Sequence, residues 1–244
     1  MNSAPFFPPP LTTRSDCLVE FMDRPDCDQA RLENTYRQFH LVNRLLSGWR
    51  RLYTSRIRPV LAAGRPNTLL DVGCGAGDIT HALFRWARME GFRVDVTGID
   101  PDARALAFIR ARIGERIQAD SCSLRFEQHA TGHLLHTGRR FDIVVCNHVL
   151  HHLPSDQTAA FLHDLSALSV RRSICSDIRR SQTGYLLFSA VTGLFFHRSF
   201  IRSDGLISIR RSYTAAELDA LAPPGWKVQA MFPFRLIAQY DHTA

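Results

Sequence analysis

No apolar run in this sequence of 244 residues approaches the roughly 18–20 that a membrane-spanning helix needs. The opening stretch MNSAPFFPPPLTT lacks a basic leader followed by a long apolar segment. A secretory signal is therefore not expected, and the cytoplasm is the expected compartment. Its prolines suggest a flexible tail over residues 1–27. The six cysteines (Cys17, Cys27, Cys74, Cys122, Cys146 and Cys175) form no C-x-x-C pair and show no metal-ligand spacing. Reduced, structural thiols are expected. A long block of one charge is missing too. The net charge of +7 and pI of about 9.5 raise the question of nucleic acid. Yet the arginines are scattered in doublets, such as Arg139 and Arg140, Arg171 and Arg172, Arg179 and Arg180, and Arg210 and Arg211. Short doublets at element ends usually cover solvated faces, so nucleic acid is not an expected partner.

What is present suffices for one α/β domain with appendages, since 45% of the residues are hydrophobic. The most informative stretch is LLDVGCGAGDIT, residues 69–80. Leu69, Leu70 and Val72 read as a buried strand, and Gly73, Gly75 and Gly77 as a tight turn. Ile79, Ala82, Leu83, Trp86 and Ala87 then recur at helical steps. The glycines let the backbone bend sharply and a ligand lie against it. The helix start offers unpaired N–H groups and a positive dipole end. A nucleotide-type site and a purely structural turn both fit such a turn. The dinucleotide fingerprint G-x-G-x-x-G, however, is absent: the spacing is G-x-G-x-G, with Asp78 in place of the late glycine.

Asp71 stands two residues before the first glycine, and D-x-G-x-G-x-G resembles the first motif of the class I S-adenosylmethionine (AdoMet) methyltransferases. The resemblance implies AdoMet as cofactor, its methionine end held by Asp71, Gly73, Cys74 and Gly75. Residues 91–101, GFRVDVTGIDP, read as a second strand closed by Asp100 and Pro101. A carboxylate there can accept both hydroxyls of a ribose, which is similar to the family's second motif. A third strand is expected in residues 123–130, SLRFEQHA. Many relatives place an adenine-contacting aspartate here. This chain has His129, Ala130 and Thr131, which leaves Ala130 and Thr131 as the expected contacts.

Residues 141–154, FDIVVCNHVLHHLP, carry the most chemistry. A fourth, fully buried strand ends at Asn147, and the carboxyl ends of parallel strands face the ligand in an open sheet. A helical turn beginning after Asn147 would put His148, His151 and His152 on one face. The resemblance places Asn147 and His148 by the cofactor and this motif beside the transferred methyl group. An imidazolium ionises near 6.5 and a phenol near 10, so a histidine can take a phenolic proton during attack. His152, and second His151, are the candidate bases. A zinc site from the three imidazoles is a rival reading, but H-E-x-x-H is absent and no metal is expected.

Upstream, one long helical pattern starts at Asp28, a suitable cap, with Leu32, Tyr36, Phe39, Val42, Leu46 and Trp49 in a stripe. Within it, YRQFHLVNRLLSGWRR resembles the segment before the first motif in the ubiquinone/menaquinone C-methyltransferases. That implies a helical cap over residues 28–62, with Tyr36, Phe39 and His40 turned toward cofactor or substrate. Residues 180–212, after a fifth strand at 173–178, form an apolar insertion where related enzymes build substrate lids. His197, Phe200 and Tyr213 are candidate pocket walls there; core packing or a homodimer contact is the alternative. Thr214 and Glu217 predict a capping box, and strands at 226–232 and 234–240 finish the sheet.

The expected whole is a Rossmann-like three-layer α/β sandwich over residues 63–244. Its seven-stranded sheet is mostly parallel, with the last strand pair antiparallel. The expected activity is AdoMet-dependent methylation of an oxygen or carbon of a small aromatic metabolite: a phenol, quinol or polyketide-like compound. An RNA methyltransferase and a non-catalytic AdoMet-binding protein are the alternatives.

Overall fold

The central strands are apolar on both faces because both faces are covered. In the computed structural model, which describes residues 10–112, 114, 116–119 and 122–242, the strands are β1 (Asn67–Val72), β2 (Val94–Ile99), β3 (Arg116–Ala119), β4 (Cys122–Glu127), β5 (Phe141–Asn147), β6 (Ser169–Ile178), β7 (Trp226–Met231) and β8 (Arg235–Asp241). They make one sheet in the order β3-β4-β2-β1-β5-β6-β8-β7. Strands β4, β2, β1, β5 and β6 run parallel, β8 returns antiparallel to β6, and β7 antiparallel to β8. These are the seven strands expected from the sequence. The short β3 adds an eighth, antiparallel to β4 at the sheet edge.

Side chains alternate across the pleat, so neighbours in β1 enter different cores. Leu69 packs with Val96, Ile143 and Ile174, whereas Leu70 packs with Val144, Leu162 and Leu165. Helices α1 (Gln29–Leu46), α2 (Trp49–Leu52), α3 (Asp78–Met89) and α4 (Ala103–Arg112) supply residues to the first core. Helices α5 (Thr131–His136) and α6 (Ser155–Leu168) serve the second. After β6 come α7 (Gln182–Phe195) and α8 (Ile201–Arg211), packed on each other, and then α9 (Ala215–Leu221) on the second core. No helix among the described residues is long and apolar enough to cross a membrane.

Local signals explain the element ends. The Asp28 carboxylate accepts the Arg31 N–H at the start of α1, and Thr214 with Glu217 forms the expected capping box at α9. The single long helix expected from Asp28 is broken. Ser47 turns its hydroxyl back onto the Asn43 carbonyl, and Gly48 adopts φ +69°. That break lets Trp49 enter the core while Leu46 stays exposed.

The tail expected over residues 1–27 also needs correction, residues 1–9 lying outside the described residues. The Ser15 N–H donates to the Arg210 carbonyl, Arg180 donates to Leu11 O, and Arg14 donates to the carbonyls of His151 and Leu153. Arg180 and Arg211, read from sequence as solvated doublets, are buried and spent on carbonyls and on Glu217. The arginine excess therefore serves internal ties as well as the surface.

β1 has β2 on one side and β5 on the other, so the chain leaves it in opposite directions. A crevice opens beyond the carboxyl ends of strands at such a switch point. The turn after β1 is built on Gly77, which caps α3 at φ +77°; a Cβ there would lie 2.9 Å from Phe126 Cε1. Gly91 has a similar φ of +81° with open space around it. Gly91→Ala should cost about 1–2 kcal/mol, the left-handed term alone, and Gly77→Ala a further ~1–3 kcal/mol for overpacking. Equal urea midpoints for the two variants would refute this account.

Candidate active site

Asp71, at the end of β1, is 1% exposed. Its Oδ2 accepts the Thr80 hydroxyl at 2.6 Å, while its Oδ1 is buried without a hydrogen-bond partner. Burial pushes this carboxyl up to about 7. The N–H groups of Gly73 and Cys74 both donate to the Ile99 carbonyl, which pins the turn to the end of β2. Gly75, at φ +52°, has nothing within 4 Å of where a Cβ would stand, so its backbone is open to a ligand. The Gly75 N–H donates to Asp100 Oδ2 at 2.8 Å, and the Asp102 N–H to Asp100 Oδ1 at 2.9 Å. Burial raises Asp100 as well.

A cavity of about 500 Å³ opens over this turn. The structure brings Asp71, Gly73, Cys74, Gly75, Asp100 and Pro101 to one part of its wall. Asn147, His148, His151, His152 and Phe39 also line it.

Seven expected site residues lie elsewhere. Tyr36 is buried against Phe108, and His40 is exposed, its Nδ1 against the Arg37 carbonyl; both border a separate cleft between α1 and α4. Ala130 caps α5, and Thr131 directs its hydroxyl to Asp164. His197 is exposed beyond α7, Phe200 stacks on Phe21, and the Tyr213 hydroxyl is tied to Thr158 inside the second core.

The histidines come together, but not on one helix face. His148 takes a left-handed conformation (φ +59°), and only a short 3-10 turn, Leu150–His152, follows. Ring centroids of His148 and His151 are 5.9 Å apart, and those of His151 and His152 4.3 Å. His148 Nε2 accepts from the Arg235 guanidinium at 2.6 Å. Burial and this cation hold its pKa well below the usual range, so the ring is neutral.

His151 is 1% exposed, its Nδ1 2.7 Å from Asp177 Oδ1 and its Nε2 3.3 Å from Glu20 Oε1. Burial alone would favour the neutral ring, but Asp177 and Glu20 prevail and push His151 up to about 10. His151 overrides burial at Asp177, and His152 with His151 overrides it at Glu20, so both carboxylates are held below their ordinary values. His152 is about a third exposed, with Nδ1 2.9 Å from Asp23 Oδ2 and Nε2 3.9 Å from Glu20 Oε2. Arg211 donates to the carbonyls of both residues at 2.8 Å, fixing the turn that carries them.

Sequence reasoning missed Glu20 and Asp23, which fall in the stretch read as a tail, and Arg235, which reaches the site from β8. No spacing in the sequence connects these positions to the histidines. Although no metal was expected, donor atoms of Glu20, His151 and His152 lie within 4.8 Å of one another, as do those of His148, His151 and Asp177.

Residues 70–170, spanning this turn through the start of β6, match the family model described as a methyltransferase domain. The matched segment holds the glycine turn, Asp100 and the histidine run. Among curated relatives, a ubiquinone biosynthesis O-methyltransferase of Klebsiella pneumoniae is 31% identical over 128 residues, 52% of this chain and 46% of the relative. The Psychrobacter arcticus protein of that name is 32% identical over 159 residues, 63% and 56% of the two chains. The chain thus spans about half the length of these relatives. In fold it is similar to a Synechocystis magnesium protoporphyrin IX methyltransferase with bound S-adenosylhomocysteine (TM-score 0.52, 18% identity, 87% of each chain). It is also similar to human N-acetylserotonin methyltransferase with AdoMet (TM-score 0.56, 11% identity, 86% of this chain and 55% of that one).

Asp71 has a consequence for stability. Its carboxyl is raised to about 7 in the fold from an ordinary ~3.9. Between those values the folded state holds a proton that the unfolded chain has lost. The stability this confers is complete below about pH 4 and is lost as pH rises through about 7. Asp71→Asn keeps an acceptor for Thr80 and removes the ionisation. The variant should exceed wild type in unfolding free energy by on the order of 2–4 kcal/mol at pH 8, with the gap closing toward pH 5. Parallel urea curves at the two pH values would show this, and a gap independent of pH would refute it.

Proposed function

We propose that this chain is a methyltransferase that uses AdoMet to methylate a phenolic oxygen of a small aromatic metabolite. The observation that carries the reading is one cavity in which a glycine turn, the buried Asp71 and the half-buried Asp100 face a pair of imidazoles. The fit to the cofactor rests on two features: Asp71 Oδ1 is buried and unpartnered, and a Cβ at Gly75 would fill open space beside it. Asp71 with the glycine turn would hold the methionine part, and Asp100 the ribose hydroxyls. The bound cofactor supplies a methyl group already activated on a sulfonium. The chain has to align the acceptor, exclude water and take up a proton. Alignment of reactants can contribute up to ~7–11 kcal/mol.

For the proton, His152 is the better placed histidine. His151, held between two carboxylates, keeps its own proton at neutral pH. His152 is partly open to the cavity, and proton transfer to its Nε2 would turn the acceptor hydroxyl into a phenolate as attack proceeds. Apolar Phe188 and Ile201, from α7 and α8, line the same cavity. We read residues 180–212 as the substrate lid and α1 as the cap. The names of the relatives, O-methyltransferases of a quinone pathway, favour oxygen over carbon as the acceptor atom.

Calorimetric titration with AdoMet on wild type and Asp100→Ala tests the cofactor; the variant should bind at least tenfold more weakly, ~1.4 kcal/mol. Release of S-adenosylhomocysteine in the presence of catechol, resorcinol or 1-naphthol tests the acceptor class. His152→Ala should lower kcat by about 10²–10⁴-fold, the range of general-base catalysis, and leave AdoMet affinity in place. Unchanged binding by Asp100→Ala would remove the cofactor roles. Near-normal turnover by His152→Ala would remove the base.

A further inference from the structure

The segment before α1 closes over the cavity and hands two carboxylates to it. The N–H groups of Phe21 and Met22 donate to the Asp204 carboxylate of α8 at 3.0 and 2.9 Å. Arg104 of α4 donates to the carbonyls of Met22 and Arg24, both at 3.1 Å. Arg211 reaches the Leu18 carbonyl, and Phe21 stacks on Phe200. The strap is thus tied to α4, beside Asp100, and to α8, beside the histidines. Those ties hold Glu20, Met22 and Asp23 in the cavity wall.

We infer that this strap belongs to the catalytic apparatus, with Asp23 and Glu20 as positioning residues that act through His152. The inference rests on the reading of His152 as base. Asp23 Oδ2 lies 2.9 Å from His152 Nδ1, and a carboxylate can only accept, so Nδ1 carries the hydrogen. The lone pair is then on Nε2, the nitrogen that must take the proton. When the acceptor O–H bond breaks and the Nε2–H bond forms, the ring becomes an imidazolium with Asp23 at one nitrogen. Glu20 Oε2 stands 3.9 Å from the other. Both carboxylates stay ionised and stabilise the positive ring without receiving its proton. The Ser208 hydroxyl donates to Glu20 Oε1 at 2.7 Å and fixes that carboxylate.

The test uses the full chain and the variants Asp23→Ala, Asp23→Asn and Asp23→Glu. Nitrogen-15 NMR of histidine side chains, with the His152 signals assigned by their loss in His152→Gln, reports the tautomer without any acceptor present. Wild type should show the Nδ1–H form, Asp23→Ala should lose it, and Asp23→Glu should restore it. With catechol as acceptor, kcat of Asp23→Ala should fall ten- to hundredfold while AdoMet affinity stays within twofold, and Asp23→Glu should recover part of the rate. An unchanged tautomer in Asp23→Ala, or unchanged kcat in both Asp23→Ala and Asp23→Asn, overturns the inference. If wild type neither binds AdoMet nor methylates the phenols, the proposed function fails, and the tautomer measurement alone then decides the positioning role. Should Asp23→Ala fold poorly, kcat of Asp23→Asn decides the matter, since its amide oxygen still accepts from Nδ1–H but brings no charge to the imidazolium.

Discussion

The charge balance around Asp177 is the constraint on which the site depends. This carboxylate is 3% exposed at the end of β6 and accepts both the backbone N–H and the ring Nδ1 of His151. An isolated buried carboxylate is costly, and removing one partner of a buried pair typically costs ~3–5 kcal/mol. Two anions, Asp177 and Glu20, are here offset by two cations, the His151 ring and Arg235, so the buried quartet sums to zero. Each member comes from a different part of the chain: β6, the N-terminal strap, the turn after β5, and β8. Satisfying the electrostatics of one group therefore assembles four segments. Glu20 on the strap pairs with His151, and Asp177 and Glu20 together hold the charge on that ring.

The glycine-turn end of the cavity is built on the opposite principle. Asp71 is buried and Asp100 half-buried, each held by backbone or hydroxyl donors, and desolvation raises both. Such groups weaken the empty protein and strengthen binding of a ligand that brings donors or positive charge. One end of the cavity is internally neutralised and the other waits for its counter-charge. That division suits a reaction in which a cationic donor is held at one end and a proton is moved at the other.

How much of this was legible follows from the range of each interaction. The β1 turn, Asp100 at the end of β2, and the Asn147–His152 run were readable because each is contiguous and tied to a strand end, where periodicity and turn chemistry give local signals. The seven main strands and their sense were readable for the same reason. Tyr36 and Phe200 were misplaced because an aromatic on an apolar stripe packs equally well against a neighbouring helix, and nothing local distinguishes the two. Ala130 and Thr131 were assigned by resemblance where the chain departs from the family pattern, and the α5 cap occupies them instead. Glu20, Asp23 and Arg235 were invisible, since their partners lie 59–188 residues away and a long-range ion pair leaves no periodic trace. The strap was read as a tail because proline content reports a local tendency and not the anchors at Asp204 and Arg104.

The two central turns also constrain each other. Gly73 follows β1 at φ +69° and His148 follows β5 at φ +59°; a left-handed conformation costs a non-glycine residue ~1–2 kcal/mol. His148 is kept there by its N–H on the Ser176 carbonyl and by Arg235 on its ring. Its conformation sets the next residue, Val149, whose Cγ2 lies 2.6 Å from where a Cβ on Gly73 would stand. Glycine at 73 is therefore required twice, by its own backbone angle and by the strained turn across the switch point. Relaxing His148 would withdraw Val149 from the glycine turn and shift the 3-10 turn that carries His151 and His152. The glycine turn and the histidine turn thus approach each other closely at Gly73 and Val149, and the Arg235 bond to His148 holds the second turn in place.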